Sequence, residues 1–337
     1  MIPQPVMKSS IACTLLAAIA LTGASQAQTA VYTAPVGYTT QTLAANRQTL
    51  VGINVMTPVI ASGSLTAVSG ATLSDTNSNF TQAITAGKTA VLEITSGTAA
   101  GTVQDFVTWS GNSITLPAAV TGVAVGNTYR IRLAPTLQEI FPVGTLAGSV
   151  IASTADKVWV PTGPGTYDRF WYKTGTSAGW RKTTTGSNDT GAVTGDVPLL
   201  YIDGIIVEKK GTAKDLVLSG EVKTKGSNVL LAQGQNLISI VPPTGSTLFN
   251  AGLQGDIAGS AVASTADIVW VPNGSGSFNR YWYKTTSPAG WRTTSTGSDN
   301  TGAVSVDVPL PSSIIIQRRS ATPKVVTMDV PAAYSSL

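Results

Sequence analysis

The chain contains no histidine, and its single cysteine, Cys13, lies in an apolar run near the start. Without imidazole, Ser-His-Asp and Cys-His nucleophilic sites are excluded, as are metal sites that need imidazole or thiolate ligands. Charge is scarce too: Asp, Glu, Lys and Arg make up 11% of 337 residues, against roughly 25% in an ordinary globular domain. The 21 basic and 17 acidic side chains are scattered without runs and leave a net charge of +4. That balance lacks the clustered basic face that nucleic acid requires, so no nucleic-acid partner is expected. Long apolar runs are absent as well. Ile11 to Leu21 is well short of the roughly 20 residues that cross a bilayer as a helix, and no membrane span is expected. Glutamate, a good helix former, occurs only at positions 93, 139, 208 and 221, whereas Gly, Ser, Thr and Val abound. Such a composition favours strands and turns over helices, and the expected class is all-β.

Met7 and Lys8, the apolar run, and the small-x-small sequence Ser25, Gln26, Ala27 together read as a secretory signal over residues 1–27. The mature chain would begin near Gln28 and carry no thiol. A secreted chain without disulfides must be held by hydrophobic cores, and this one is long enough to build them. The expected localisation is secreted or cell surface.

What the sequence does contain is a long internal repeat. Gly148 to Leu199 returns as Gly259 to Leu310, and roughly 34 of the 52 aligned positions are identical. The shared skeleton reads ASTAD-x-VWVP, R-x-WYKT, AGWR, then TGS-x-x-TGAV-x-x-DVPL. Repetition on this scale is architecture before it is chemistry. Short β-branched and aromatic segments, such as Lys157 to Val160, Arg169 to Lys173 and Ile205 to Lys209, alternate with Gly- and Pro-rich turns, so each repeat is expected to contain a meander of three or more strands.

Weaker matches extend the repeat. Gly204 to Thr212 resembles Ser313 to Ala321 after a two-residue deletion, Pro135 to Phe141 resembles Pro243 to Phe249, and Leu43 to Ile53 resembles Leu231 to Ile240. Between Ile53 and Pro135 lies a stretch with no counterpart, itself rich in strand-like segments. The expected architecture is therefore tandem β-sandwich-like domains with an inserted small β-barrel or sandwich. The spans are 1–27 signal, 28–56 plus 135–230 first β-domain, 57–134 inserted module, and 231–337 second β-domain. Leu216 to Val222 has its counterpart in Val325 to Val330, and the opening segment near Val31 to Leu43 resembles Val222 to Leu231. That recurrence raises the hypothesis that edge strands are exchanged between neighbouring domains, or that molecules associate through β-edges.

At AD-x-VWVP, WYK, AGWR, IIVEKKG and LVLSGEV the chain resembles a family of uncharacterised secreted proteins known mainly from verrucomicrobial bacteria. Its members resemble one another in a signal peptide, a turn-rich tryptophan-containing β-region and a strand matched here by Asn236 to Ile240 and Thr49 to Ile53. The resemblance covers most of the mature chain. It implies export and an architecture, and it implies no activity and no site.

With histidine gone, the remaining catalytic option is a glycosidase-type carboxylate pair, for which the shared candidates are Asp156 with Asp196 and Asp267 with Asp307. All four positions also suit a side chain that caps a turn, which is the expected role. The Asn188 to Gly191 and Asp299 to Gly302 turns, and Asp75 to Asn79, offer oxygens to Ca²⁺. The last lacks the glycine and distal glutamate of a calcium loop, and no metal or other cofactor is expected. The aromatic cluster is the better candidate, because flat rings beside hydrogen-bonding cations suit a sugar-binding face. Strand alternation puts Phe170 and Tyr172 on one side and Trp171 on the other with Arg169 and Lys173. The candidate carbohydrate-contacting residues are Trp171, Trp180, Arg181, Trp282, Trp291 and Arg292, with Trp180 the ring expected to be most exposed. The competing reading is packing, since a buried Trp contributes up to about 6 kcal/mol.

The function these features favour is a secreted, non-enzymatic structural or adhesive protein of a bacterial envelope or extracellular matrix. The alternatives are a carbohydrate-binding protein and, less favoured, a carbohydrate-active enzyme. Expected partners are envelope polysaccharide or further copies of the chain.

Overall fold

β-branched and aromatic segments become the strands, and the Gly- and Pro-rich clusters the turns between them. The computed structural model of the chain describes residues 34–183, 192–193, 195–294, 302–304 and 307–337. The leader expected over 1–27 and most of the two Asn/Asp-Thr-Gly turns, at 188–191 and 299–301, lie outside the described residues. Val36–Leu43 (β1) and Gln48–Gly52 (β2) open the first repeat. Val59–Ser64 (β3), Ala67–Ser69 (β4), Thr72–Ser74 (β5), Ala90–Ile94 (β6), Val103–Asp105 (β7), Thr108–Ser110 (β8), Ser113–Thr115 (β9) and Thr128–Leu133 (β10) belong to the segment without a counterpart. Lys157–Gly163 (β11), Thr166–Lys173 (β12), Gly179–Thr183 (β13), Gly204–Glu208 (β14) and Lys214–Glu221 (β15) complete the first repeat. Ser227–Leu231 (β16), Gly234–Ser239 (β17), Ile268–Pro272 (β18), Phe278–Lys284 (β19), Gly290–Thr293 (β20), Ser313–Arg318 (β21) and Lys324–Met328 (β22) make the second.

The chain is all-β, and the repeat in sequence is a repeat in topology. The first repeat forms a five-stranded sheet in the order β13-β12-β11-β14-β2, and the second forms β20-β19-β18-β21-β17, the same order of counterparts. Each repeat adds a two-stranded antiparallel ribbon, β1 with β15 and β16 with β22. Every ribbon strand finds its partner in its own repeat, so among the described residues no ribbon strand is exchanged between the two. β16 begins at Ser227, inside the span assigned to the first domain by sequence, yet it pairs with the last strand of the second repeat.

Between β2 and β11 the extra segment builds two open four-stranded sheets, β3-β10-β6-β7 and β4-β5-β9-β8. Of the two forms expected for it, barrel or sandwich, the barrel is not made, because neither sheet closes on itself. Leu73, Phe80, Leu92, Ile94, Ile114 and Ile131 give it a core of its own. Two ion pairs fasten it to the body: buried Arg132 on β10 meets half-buried Glu221 at 2.6 Å, and buried Lys223 contacts buried Glu93 on β6.

The two repeats share one core rather than keeping one each. A single cluster runs from Val51, Val158 and Phe170 to Ile238, Val269 and Tyr281. A second cluster, with Ile206, Leu237 and Ile315 at its centre, joins residues of both five-stranded sheets, with Trp159 and Trp270 packed at its margin. Ile206 and Ile315 are counterparts, as are Leu50 and Leu237, so the contact has pseudo-twofold character. Glycine is required where the chains touch. A Cβ on Gly52 would lie 1.8 Å from the Ser312 carbonyl oxygen, and one on Gly204 would lie 2.1 Å from the Ser313 hydroxyl. Pro35 to Leu337 accordingly forms one compact unit.

Candidate functional site

The repeated aromatic residues sit on the outer three strands of each five-stranded sheet. On β12, Phe170 faces the main core and Trp171 faces away from it, as strand alternation requires. Trp171 is nevertheless 0% exposed, and so is Trp282 on β19. The segment before β11 folds over the ring and lays Ala152 and Ala155 against it; Ala263 and Ala266 do the same for Trp282. Ser149 forms a parallel bridge with Lys173, and Ser260 forms one with Lys284, which binds each covering segment along the edge of the strand.

The shared aspartates hold those covers down. Asp156 is 1% exposed and Asp267 is 0% exposed. Asp156 accepts from the Ala147 backbone N–H at 2.7 Å, the Lys209 Nζ at 2.5 Å and the Lys210 N–H at 2.7 Å. Asp267 repeats the pattern with Ala258 N–H at 2.9 Å, Arg318 Nη1 at 3.1 Å and Arg319 N–H at 2.8 Å. A buried carboxylate with a buried cation and two backbone donors is fully occupied in this role. Asp196 engages Lys88 at 2.8 Å on the surface, and Asp307 accepts from the Phe249 N–H at 3.2 Å. Asp156 and Asp196 thus serve different local contacts, as do Asp267 and Asp307.

Trp180, expected to be exposed, is 4% exposed, and Trp291 is 3% exposed. The cause is register. Trp180 stands directly opposite Tyr172, and Trp291 opposite Tyr283, so both indoles share the inward face with their tyrosines. The rings meet edge to face at 5.8 Å and 5.7 Å. Arg181 and Arg292 are 9% and 8% exposed and turn back onto their own hairpins. Arg181 Nη1 donates to the Trp180 carbonyl at 2.9 Å and its Nη2 donates to the Ser177 carbonyl; Arg292 donates to the Trp291 and Pro288 carbonyls at 2.9 and 2.5 Å. Each repeat also sets a cation over an indole of the neighbouring strand: Arg169 lies 4.2 Å from the Trp159 ring, and Arg280 lies 5.3 Å from Trp270. All six sequence candidates are therefore buried, and in each repeat they are divided between the two faces of the sheet, Trp180 and Trp291 in the main core and Trp171 and Trp282 under their covering segments.

A cavity reaches this region in the second repeat. Phe249, Gln254, Tyr283, Pro288, Trp291 and Arg292 are among the residues lining a space of about 430 Å³ in the second repeat. Phe249 is 44% exposed, and Gln254 Nε2 donates to Tyr283 Oη at 2.9 Å. None of the described lining residues carries a carboxylate. In the first repeat the Gly195 backbone lies over the matching indole, where a Cβ would come within 2.8 Å of the Trp180 ring.

The Asp75 turn uses its oxygens internally. Asp75 accepts from the Asn77 N–H at 2.9 Å, the Ser78 hydroxyl at 2.9 Å and the Tyr129 hydroxyl at 2.8 Å. Burial pushes its carboxyl up, but those hydrogen bonds outweigh it and leave the pKa below the ordinary value. Burial, opposed by a hydrogen bond from Ser78 and reinforced by Asp75, pushes Tyr129 up to about 12. Among the described residues, no group of three acidic, histidine or cysteine side chains could hold a metal ion.

Two titratable groups were not legible in the sequence. Asp203 lines a groove of about 320 Å³ with Pro161, Pro164, Leu230 and Asn236. Burial, aided by repulsion from Asp105, pushes its carboxyl up to about 7. Burial, aided by repulsion from Lys225, pushes Lys223 down to about 7. The aligned residue for Asp203 in the second repeat is Ser312, so the repeat gave no signal for the carboxylate.

The chain matches no family model, no curated protein and no solved structure.

Proposed function

We propose that the protein is an exported, non-enzymatic structural or adhesive component of a bacterial envelope or extracellular matrix. The observation that carries this reading is the use of the repeated chemistry. Trp171, Trp180, Arg181 and Asp156, together with their counterparts, are consumed in internal contacts that recur in both copies. What selection has doubled is a means of folding a β-protein without disulfides, and building material is the function that such doubling serves. Export is supported by the signal-like leader and by the resemblance to secreted verrucomicrobial proteins. Fractionation of producing cells with an antibody to the chain tests the proposal: it belongs in the envelope or matrix fraction, and recovery solely from the cytoplasm would overturn it.

The cavity beside Trp291 favours a second reading, carbohydrate binding. Phe249 offers an exposed ring and Gln254 a polar group there, in the second repeat. Replacement of Phe249 by Ala would then weaken retention on a polysaccharide matrix while leaving thermal unfolding within a degree or two.

A further inference from the structure

The two ribbons are counterparts, yet their edges are treated differently. In the second repeat β16 does not end the sheet. The Asn228 N–H donates to the Gly101 carbonyl at 2.8 Å, and Thr102 forms a parallel bridge with Asn228, so a segment of the inserted module runs along that edge. The far side of β22 is covered as well, because the Thr327 N–H donates to Asp256 at 2.6 Å and the Asp329 N–H to the Ala251 carbonyl at 3.1 Å.

In the first repeat the aligned position for Asn228 is Thr40, counted from Leu43 and Leu231 at the ends of the two strands. Among the described residues β1 pairs with β15 alone, and nothing occupies its other edge. Glu221 turns its backbone outward to Met56, and Val36 stands opposite it, so Val36, Tyr38, Thr40 and Thr42 present their N–H and C=O groups to the open side. This edge is eight residues long and carries no charge. It has none of the lysines, prolines or bulges with which an exposed strand is ordinarily blunted. On the outer face Val36 and Tyr38 are each 75% exposed and Val217 beside them is 61% exposed, while the carboxylates of the ribbon, Glu221 opposite Val36 and Asp215 opposite Thr42, belong to β15 and not to the open edge.

We infer that β1 is an assembly edge and that its partner is β1 of a second copy of this chain, joined antiparallel about a twofold axis. An uncharged strand meets no like-charge repulsion when paired with itself. A register that sets Tyr38 opposite Thr40 of the second copy, and Val36 opposite Thr42, places outward-facing residues of both strands together. The ribbon then becomes a four-stranded sheet, with the exposed valines and tyrosines of both copies on one face. The inference rests on the structural reading above and supplies its partner.

Sedimentation equilibrium of the purified chain tests the pairing without any envelope present, so its failure is separable from a failure of envelope retention. The expected result is a concentration-dependent dimer. Thr40→Pro removes one outward donor and Tyr38→Lys adds a charge to the edge, and each is expected to weaken dimerisation by about tenfold or more with the circular dichroism unchanged. Leu230→Lys, on the ribbon whose edges are covered, is expected to leave the equilibrium as it was. A chain that stays monomeric at every concentration, or a dimer indifferent to both β1 variants, would overturn the inference.

Discussion

Asp156 and Asp267 show how a residue that looks catalytic in sequence can be structural. Each carboxylate is almost wholly buried against a cation that is itself buried, Lys209 or Arg318. Removal of one partner from such a pair leaves the other charge without compensation, which costs about 3–5 kcal/mol. Asp156→Asn is therefore expected to lower the urea midpoint strongly, and Asp267→Asn likewise. Asp196→Asn weakens an exposed ion pair with Lys88 and is expected to cost less than the buried variants do. Equal effects from the buried and the exposed variants would contradict the assignment.

Asp203 gives the residue scale a pH signature. The folded protein keeps this carboxyl protonated up to about pH 7, whereas the ordinary value is 3.8. Between those values the folded state binds more protons than the unfolded state. The contribution to stability is thus fully present below about pH 3.8 and is lost as pH rises through about 7. Asp203→Asn is expected to match the parent in thermal stability near pH 3.5 and to exceed it by several degrees at pH 8. A constant difference across that range would show that ionisation of Asp203 is not the cause.

At the scale of elements, the meander was legible because its strands are β-branched, its turns are rich in Gly and Pro, and it occurs twice. Alternation correctly separated Phe170 from Trp171. Two things were not legible. Register between β12 and β13 decides which face Trp180 takes, and hairpin register depends on the turn between Lys173 and Gly179 rather than on either strand alone. Burial of Trp171 depends on a covering segment that touches the ring through small residues, Ala152 and Ala155, and is held by one aspartate, which no strand pattern signals. The sequence pattern therefore raised both packing and sugar contact for the six candidate residues, and it placed Trp180 at the surface where the structure buries it. Trp180→Ala and Trp291→Ala are each expected to destabilise by about 3–5 kcal/mol, read from denaturant unfolding. A loss below about 1 kcal/mol would mean that the indoles are not core.

Over the whole molecule, the shared core joins the repeats into one cooperative body. Tryptophan fluorescence and far-ultraviolet circular dichroism should report a single coincident unfolding transition. The interface between the five-stranded sheets is tight at Gly52, where an added methyl group meets a backbone oxygen, whereas Gly211 has open space around it. Gly52→Ala is expected to cost at least about 1–3 kcal/mol, and Gly211→Ala to stay within about 0.5 kcal/mol.

The central claim is that the repeated tryptophans and arginines build the protein rather than bind for it. The most direct measurement is co-sedimentation of the purified chain with a panel of insoluble polysaccharides and with envelope from the producing cell, while tryptophan emission is recorded. Retention on envelope with unchanged emission on every glycan is the expected result. A saturable glycan signal that shifts or quenches the emission, and that disappears when Trp180 and Trp291 are both replaced by Phe, would contradict it.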